Sequence, residues 1–110
     1  MERLLYYKLI RDRIPEIIEQ DGREYEILVM TEDEYRVALA NKLGEEVQEV
    51  LEAASRDVGS LPKELADLYE VIDSLVSAFD LNEESIREIQ RERRVKRGGF
   101  EKRLKLLWTD

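Results

Sequence analysis

Two long stretches of helical periodicity, separated by a short connector, constrain the fold of this chain more than any other feature. Apolar residues recur every three or four positions over 31–55 and again over 60–79, which places each set on one face of an α-helix. The connector, residues 56–60, is short enough to make the two helices neighbours that run in opposite directions. The two apolar stripes are Leu39, Leu43, Val47, Val50, Leu51 and Ala54, and Leu61, Leu65, Leu68, Ile72, Leu75, Val76 and Phe79.

Other elements are predicted on both sides of this hairpin. A short helix is expected over 14–20, with a proline in its first turn and an Asp-Gly turn after it, and a third long helix over 82–97, ended by two glycines. Residues 23–30 are rich in Ile, Val and Tyr and predict a short extended segment, and residues 101–110 predict a strand or an arm across the core. The expected fold is all-α, a helical bundle built on an antiparallel helix hairpin with short extended segments, in one domain over 1–110.

Composition excludes several kinds of chemistry. The chain has no Cys and no His, which excludes disulfides, thiolate zinc sites, thiol catalysis and imidazole bases. A net charge of −8 argues against binding to duplex nucleic acid, because neutralising phosphates dominates that affinity. Neither a membrane-spanning apolar run nor a signal peptide is recognisable, so we expect a cytoplasmic protein without membrane partners. Because the chain has neither Cys nor His, acid–base or metal chemistry must use carboxylates, Lys, Tyr or water.

Carboxylates cluster at matching places on the two long helices. At 100° per residue, Glu46 lies about 70° and Glu49 about 130° to one side of the first apolar stripe, whose centre is near Leu43 and Val50. On the second helix, Glu64 and Asp67 lie at about the same two angles, on the same rotational side. In an antiparallel pair these four acids converge on one edge of the interface.

Four carboxylates on one half-buried edge need a counter-charge. Oxygen ligands of this kind favour Mg²⁺, with Mn²⁺ as an alternative. The competing interpretation is a solvated acidic helix face, with Glu64 serving the helix dipole. Glu45 points outward and supports Glu49. The second ExxD of the same helix, Glu70 to Asp73, is the poorer candidate, because these two residues point away from that edge.

The pattern Glu45-Glu46-Val-Gln-Glu49, followed by Glu64-Leu-Ala-Asp67, resembles the EExxE…ExxD signature of the all-α nucleotide pyrophosphohydrolases. These include MazG-like enzymes, dimeric dUTPases and phosphoribosyl-ATP pyrophosphohydrolases. The likeness covers roughly residues 39–79. The flanking segments 7–18 and 96–104 look like the end segments of a small MazG-related group often labelled phosphoribosyl-ATP pyrophosphohydrolase-like.

This resemblance implies a metal site and a reaction. Glu46, Glu49, Glu64 and Asp67 would bind Mg²⁺, and Glu45 would assist. The implied reaction is hydrolysis of a nucleoside triphosphate to its monophosphate and pyrophosphate, of the house-cleaning type. A metal ion lowers the pKa of bound water, so no His is required. Either Glu49 or Glu46 would accept the proton of that water.

Basic residues at both ends of the chain are candidates for binding the triphosphate. They are Lys8, Arg11 and Arg13 before the hairpin and Lys96 and Arg97 after it. Members of the family usually build the site from at least four helices, often across a subunit boundary. We therefore expect a homodimer or homotetramer that completes the site.

Two other functions stay open at this stage. One is phosphoribosyl-ATP hydrolysis in histidine biosynthesis, which uses the same kind of metal ligands. The other is a catalytically silent helical module whose acidic edge binds a basic partner. Substrate tests distinguish phosphoribosyl-ATP hydrolysis from nucleoside triphosphate hydrolysis. The response to divalent cations distinguishes the silent module from both enzymes.

Overall fold

The computed structural model describes residues 3–110, and all regular secondary structure within that range is helical. Helix α1 spans Ile14–Gln20, α2 Glu32–Arg56, α3 Leu61–Ala78 and α4 Glu83–Arg97, and a 3₁₀ turn, Val58–Ser60, joins α2 to α3. The predicted all-α class is confirmed. Residues 23–30 and 103–110 form neither helix nor strand, and residues 101–102 lie in a turn, so no strand forms in the two segments where extended structure was predicted.

Helix α2 begins at the residue that local side-chain chemistry specifies. The backbone N–H of Thr31 donates to Glu34 Oε1 at 2.9 Å, and the backbone N–H of Glu34 donates to Thr31 Oγ1 at 3.2 Å. These reciprocal bonds form a capping box, which satisfies backbone donors that have no partner within the helix. The bond from Thr31 also holds the pKa of the Glu34 carboxyl below its ordinary value.

The connector between α2 and α3 differs in one detail from the prediction. The position of Ser60 between Gly59 and Pro62 predicts this residue as the N-cap of α3, but its hydroxyl instead donates to the backbone carbonyl of Asp57 at 2.9 Å. Ser60 already has helical dihedral angles, because the 3₁₀ turn leads directly into α3. Pro62, in the first turn of α3, has no N–H that would need a cap.

Helices α2 and α3 pack against each other, but the packed face is rotated from the predicted one. The buried apolar residues are Leu39 and Ala53 of α2 and Val71 of α3. Ala53 and Val71 lie outside the predicted stripes. On a helical wheel, the packed face of α2 is turned by about 50° from the predicted centre towards Glu46. Periodicity locates a wide apolar stripe, but it does not indicate which part of the stripe a neighbouring helix covers.

The opposite flank of both stripes is exposed. Val47 and Leu51 of α2 and Leu65 and Ile72 of α3 each keep a substantial part of their surface accessible to solvent. We call these four residues the apolar flank. An apolar surface of this kind, continuous with a core, is typical of a site for a further packing partner.

Contacts along the chain divide it into two compact units, with the boundary between Asp80 and Leu81. In the second unit the Asn82 side chain accepts a hydrogen bond from Ser85 N at 3.0 Å and caps α4, and Gly98 ends this helix with a φ of 80°. No residue over 81–110 is buried. A single domain over 1–110 stays a prediction. Within the described part of the chain, no helix has the length and apolar character needed to cross a membrane.

One arginine connects the beginning of α2 to the end of α3. Arg36 Nε donates to the backbone carbonyl of Ala78 at 2.8 Å, and a terminal nitrogen pairs with Glu32 at 2.8 Å and with Asp80 at 3.7 Å. Its guanidinium carbon also lies 5.1 Å from the centroid of the Phe79 ring. The arginine thus provides a partner for one of the last carbonyls of α3, which have none within the helix.

We expect Arg36→Ala to lower the free energy of unfolding by about 1–3 kcal/mol, because it removes a charge-assisted hydrogen bond to a helix-terminal carbonyl. The side chain is only 27% exposed, so water does not fully replace the lost partner. Urea unfolding followed by circular dichroism measures the change. Arg23→Ala, which removes an exposed arginine paired only with Asp21, is the control and should change stability little. Equal effects of the two substitutions would contradict this role.

Candidate functional site

Three of the four predicted metal ligands lie together. Glu46 of α2 and Glu64 and Asp67 of α3 each offer a carboxylate oxygen, and these three oxygens are within 4.8 Å of one another. All three residues are half-buried. Glu64 and Asp67 are three positions apart on one helix and therefore share a face. We call these three residues the acidic cluster.

The rotation of the packed face explains how the cluster forms. Glu46 lies close to the centre of the face that α2 presents to α3, and its side chain is only 13% exposed. The Glu64 side chain is equally enclosed. The Asp67 side chain is 37% exposed, so the cluster extends from the contact between the two helices towards solvent. Enclosing Glu46 and Glu64 carries an electrostatic cost, because burial removes water from the carboxylates.

The electrostatics of the cluster show most clearly at Glu46. Burial is the main cause that raises the pKa of the Glu46 carboxyl above its ordinary value of 4.5. The nearby Lys42 acts in the opposite direction, while the negative charges of Asp67, Glu64 and Glu49 raise the pKa further. An acidic group under these conditions favours either a proton or a cation.

Glu49 and Glu45 lie beside the cluster. Glu49 is exposed and is not one of the three residues whose oxygens meet, although its charge acts on Glu46. Its role as a ligand stays a prediction. Glu45 is exposed and pairs with Lys42 at 3.4 Å, and the same ammonium is 3.9 Å from Glu46. Glu45 therefore contacts the lysine that partly neutralises the cluster.

Two further cations contact the cluster. A terminal guanidinium nitrogen of Arg11 donates to Asp67 Oδ1 at 2.8 Å, and Lys63 Nζ is 3.7 Å from Glu64 Oε1. Arg11 precedes α1, and 56 positions separate it from Asp67 in the sequence. Arg11 is one of the residues predicted to bind phosphate, but its contact with Asp67 was not predicted. No local pattern encodes a pair so distant, whereas the spacing of Lys42 from Glu45 and Glu46 is readable on a helical wheel.

The other predicted phosphate-binding residues lie outside the cluster. Arg13 pairs with Glu16 at 3.3 Å, and Lys8 lies over the Tyr6 ring, 5.6 Å from its centroid. Lys96 and Arg97 are in the last turn of α4, in the second unit of the chain. The roles of these four residues in phosphate binding stay predictions.

The second ExxD of α3 is not part of the cluster. Glu70 and Asp73 are both exposed, and neither belongs to the group of converging carboxylates. Two acid pairs with the same spacing on one helix therefore differ in environment, because only Glu64 and Asp67 face α2.

The donor set of the cluster fits a hard divalent cation. Its donors are carboxylate oxygens from two helices, and oxygen ligands suit Mg²⁺ and Mn²⁺. Mg²⁺ commonly keeps several waters and takes only a few protein ligands. Three half-buried carboxylates are consistent with that kind of coordination.

Comparison with known proteins finds one partial relative. A protein of Mycolicibacterium smegmatis (strain ATCC 700084 / mc(2)155), described only as uncharacterized, is 50% identical to this chain over 50 residues. The match covers 46% of this chain and 51% of the relative, so the chain spans about half the length of the curated relative it matches. No family model matches the chain, and no solved structure matches it.

We expect Glu46→Gln to stabilise the metal-free protein at neutral pH. Folding raises the pKa of this carboxyl, so Glu46 favours the folded state below its ordinary pKa of 4.5, and this contribution is lost as the pH rises through the raised value. Removing the charge should therefore increase the free energy of unfolding at neutral pH, by a few tenths to about 1 kcal/mol for a group near water. Thermal unfolding in EDTA as a function of pH measures the difference.

The gain should shrink as the pH falls towards 4.5, because Glu46 of the unsubstituted protein then takes up a proton. Glu70→Gln is the matched control, since it removes the same charge from an exposed position. It should change stability little at any of these pH values. A loss of stability in Glu46→Gln at neutral pH would contradict the electrostatic account.

Proposed function

We propose that this protein is a divalent-cation-dependent nucleoside triphosphate pyrophosphohydrolase that releases a nucleoside monophosphate and pyrophosphate. The observation that carries the proposal is the meeting of Glu46, Glu64 and Asp67 between two packed helices. The same residues belong to the EExxE…ExxD pattern that resembles MazG-like enzymes. The raised pKa of Glu46 supports a need for positive charge at this place.

The proposed fold around the site is an antiparallel helix hairpin. Two contacts support it: Arg36, near the start of α2, contacts Ala78 at the end of α3, while Glu46, farther along α2, meets residues in the first half of α3. This arrangement brings one acid of α2 to the i, i+3 pair of α3. It also leaves Glu49 one turn from Glu46 along α2, where it would supply a fourth carboxylate.

In the proposed mechanism, Glu46, Glu64 and Asp67 would hold Mg²⁺ or Mn²⁺. The bound cation would neutralise phosphate oxygens and lower the pKa of a water molecule. Glu49 or Glu46 would accept the proton of the attacking water, and Glu49 is favoured because it lies outside the group of converging oxygens. The Pα–O bond to the bridging oxygen breaks as the water oxygen bonds to the α-phosphorus, and pyrophosphate leaves with that electron pair.

Basic residues of this chain would bind and orient the triphosphate. Arg11 is the best placed of the predicted set, because its guanidinium already contacts the acidic cluster. Arg13 and Lys8 belong to the same segment before α1, and the phosphate-binding roles of Lys96 and Arg97, in the last turn of α4, stay predictions. Glu45 would act through Lys42, holding that ammonium beside Glu46.

We also propose that the active form is a homodimer or homotetramer in the cytoplasm. The apolar flank, formed by Val47, Leu51, Leu65 and Ile72, supports this assembly because it extends the buried face of α2 and α3 and is exposed to solvent. A second copy packed on the flank would bury these side chains and add helices to the site.

The proposed reaction predicts metal-dependent release of pyrophosphate and monophosphate from at least one nucleoside triphosphate. A panel of canonical and modified nucleotides, with phosphoribosyl-ATP included, is assayed with Mg²⁺ and with EDTA. Asp67→Asn should lower kcat at least 100-fold, because it removes a ligand charge. Glu70→Gln, which removes an exposed charge on the same helix, should leave turnover unchanged.

Exclusive turnover of phosphoribosyl-ATP would assign the protein to histidine biosynthesis. If no nucleotide is hydrolysed and Mg²⁺ does not raise the melting temperature, the enzyme proposal is wrong. The acidic cluster would then be better explained as a surface that binds a basic partner.

The proposed homo-oligomer is tested by a substitution in the apolar flank. Leu51→Lys places a charge in the apolar flank and should shift the protein to monomers, because a buried unpaired charge opposes association. Sedimentation velocity measures the change. Glu52→Lys, at the next position, which is also exposed, is the control and should keep the oligomer. A monomeric unsubstituted protein that hydrolyses nucleotides would contradict the assembly and leave the proposed reaction intact.

A further inference from the structure

We propose that Arg11 is a resident counter-cation of the acidic cluster, which a divalent metal displaces from Asp67 and which then binds the phosphate chain. This inference rests on the proposed function and assigns one residue two successive partners. In the metal-free protein the partner of Arg11 is a carboxylate, and in the loaded enzyme it is the substrate. The metal would therefore bind first, and the phosphate chain would bind to the Arg11 side chain that the metal has displaced.

The contact that supports this inference is selective. Arg11 donates to Asp67 Oδ1 at 2.8 Å, within the range of charge-assisted hydrogen bonds. Two positions later, Arg13 turns to its own helix and pairs with Glu16. The backbone carbonyl of Arg11 also accepts a hydrogen bond from Ile14 N at 3.1 Å, which anchors the arginine at the beginning of α1.

Competition follows from charge and from geometry. A divalent cation that binds Asp67 would lie within about 2.1 Å of a carboxylate oxygen, and a guanidinium on the same carboxylate would be repelled by it. The Arg11 side chain is 59% exposed, so it can leave Asp67 without opening the packed face of α2 and α3. Its backbone bond to Ile14 at the beginning of α1 does not depend on the contact with Asp67.

The displaced guanidinium is suited to a phosphate. Its planar set of donors binds phosphate oxygens in the bidentate geometry that it uses for carboxylates. A triphosphate bound to the metal would bring its oxygens to the place that Arg11 has just left. The triphosphate would thus become the partner of the Arg11 guanidinium, in place of the Asp67 carboxylate to which the metal is bound.

The two roles predict effects of opposite sign. Removing the Arg11 side chain should tighten binding of the metal alone, because a competitor is lost. It should weaken binding of a polyphosphate to the metal-loaded protein, because a donor is lost. A residue that only binds phosphate would produce the second effect without the first, and an ion pair with no role in phosphate binding would produce the first without the second.

The test is isothermal titration of the metal-free protein with Mn²⁺, without nucleotide. Arg11→Ala should bind Mn²⁺ roughly 1.5- to 5-fold more tightly than the unsubstituted protein, the range expected for loss of an exposed ion pair. Arg23→Ala is the matched control, since the Arg23 side chain is also 59% exposed and pairs with Asp21. It should leave the affinity unchanged.

Lys63→Ala tests whether net charge alone explains the result. It removes one positive charge beside Glu64, where the contact is longer, at 3.7 Å. We expect a smaller increase in Mn²⁺ affinity than in Arg11→Ala. Equal increases would overturn the inference, because they would reflect the general field of the cluster and not a specific competitor.

The second readout is binding of inorganic pyrophosphate to the protein saturated with Mg²⁺. Arg11→Ala should weaken this binding at least fivefold, and Arg23→Ala should not. Arg11→Gln, which keeps a polar, hydrogen-bonding side chain but removes the charge, repeats both measurements if the alanine variant unfolds. Unchanged pyrophosphate affinity in a folded variant would overturn the second role.

The outcomes separate this inference from the proposed function. If the unsubstituted protein binds no Mn²⁺, the metal site itself is wrong. If it binds Mn²⁺ and hydrolyses nucleotides, while Arg11→Ala binds the metal no more tightly, only the inference about Arg11 is wrong.

Discussion

The packing of α2 against α3 is the interaction on which the first unit of the chain depends. Its buried apolar centre is small, consisting of Leu39, Ala53 and Val71. At one end, Arg36 provides a partner for the backbone carbonyl of Ala78. Between Leu39 and Ala53 the same packed face encloses Glu46, so apolar burial and the acidic cluster belong to one contact surface. The helices cannot pack in this way without bringing carboxylates together.

That constraint connects stability with the proposed chemistry. Enclosing Glu46 beside other acids raises its pKa, so the charged cluster opposes the folding that creates it. Three cations that contact the cluster reduce this electrostatic cost: Lys42, Lys63 and Arg11. A divalent cation would neutralise the cluster more completely, and the proposed order of partners at Asp67 follows from this incomplete balance.

The sequence predicted the helices well because their signals are local. The capping box at Thr31, Pro15 in the first turn of α1 and the positive φ of Gly98 after α4 each depend on a few adjacent residues. The convergence of Glu46, Glu64 and Asp67 was also predicted, since it requires only helix periodicity and a short connector. The position of Glu49 outside this group was not predicted. The angle of a residue from the apolar stripe does not determine how far the helix rotates when it packs.

By itself, the amino-acid sequence determined the helical elements, their ends and the set of acids that could meet. Only the tertiary structure decided the rotation of α2 and α3, which buries Ala53 and Val71 and leaves Val47 and Leu51 exposed. It also decided the contact between Arg11 and Asp67. The physical reason is the range of the interactions: hydrogen bonds and periodicity within a helix depend on neighbours in the sequence, whereas packing and ion pairing between distant segments depend on how whole surfaces fit together.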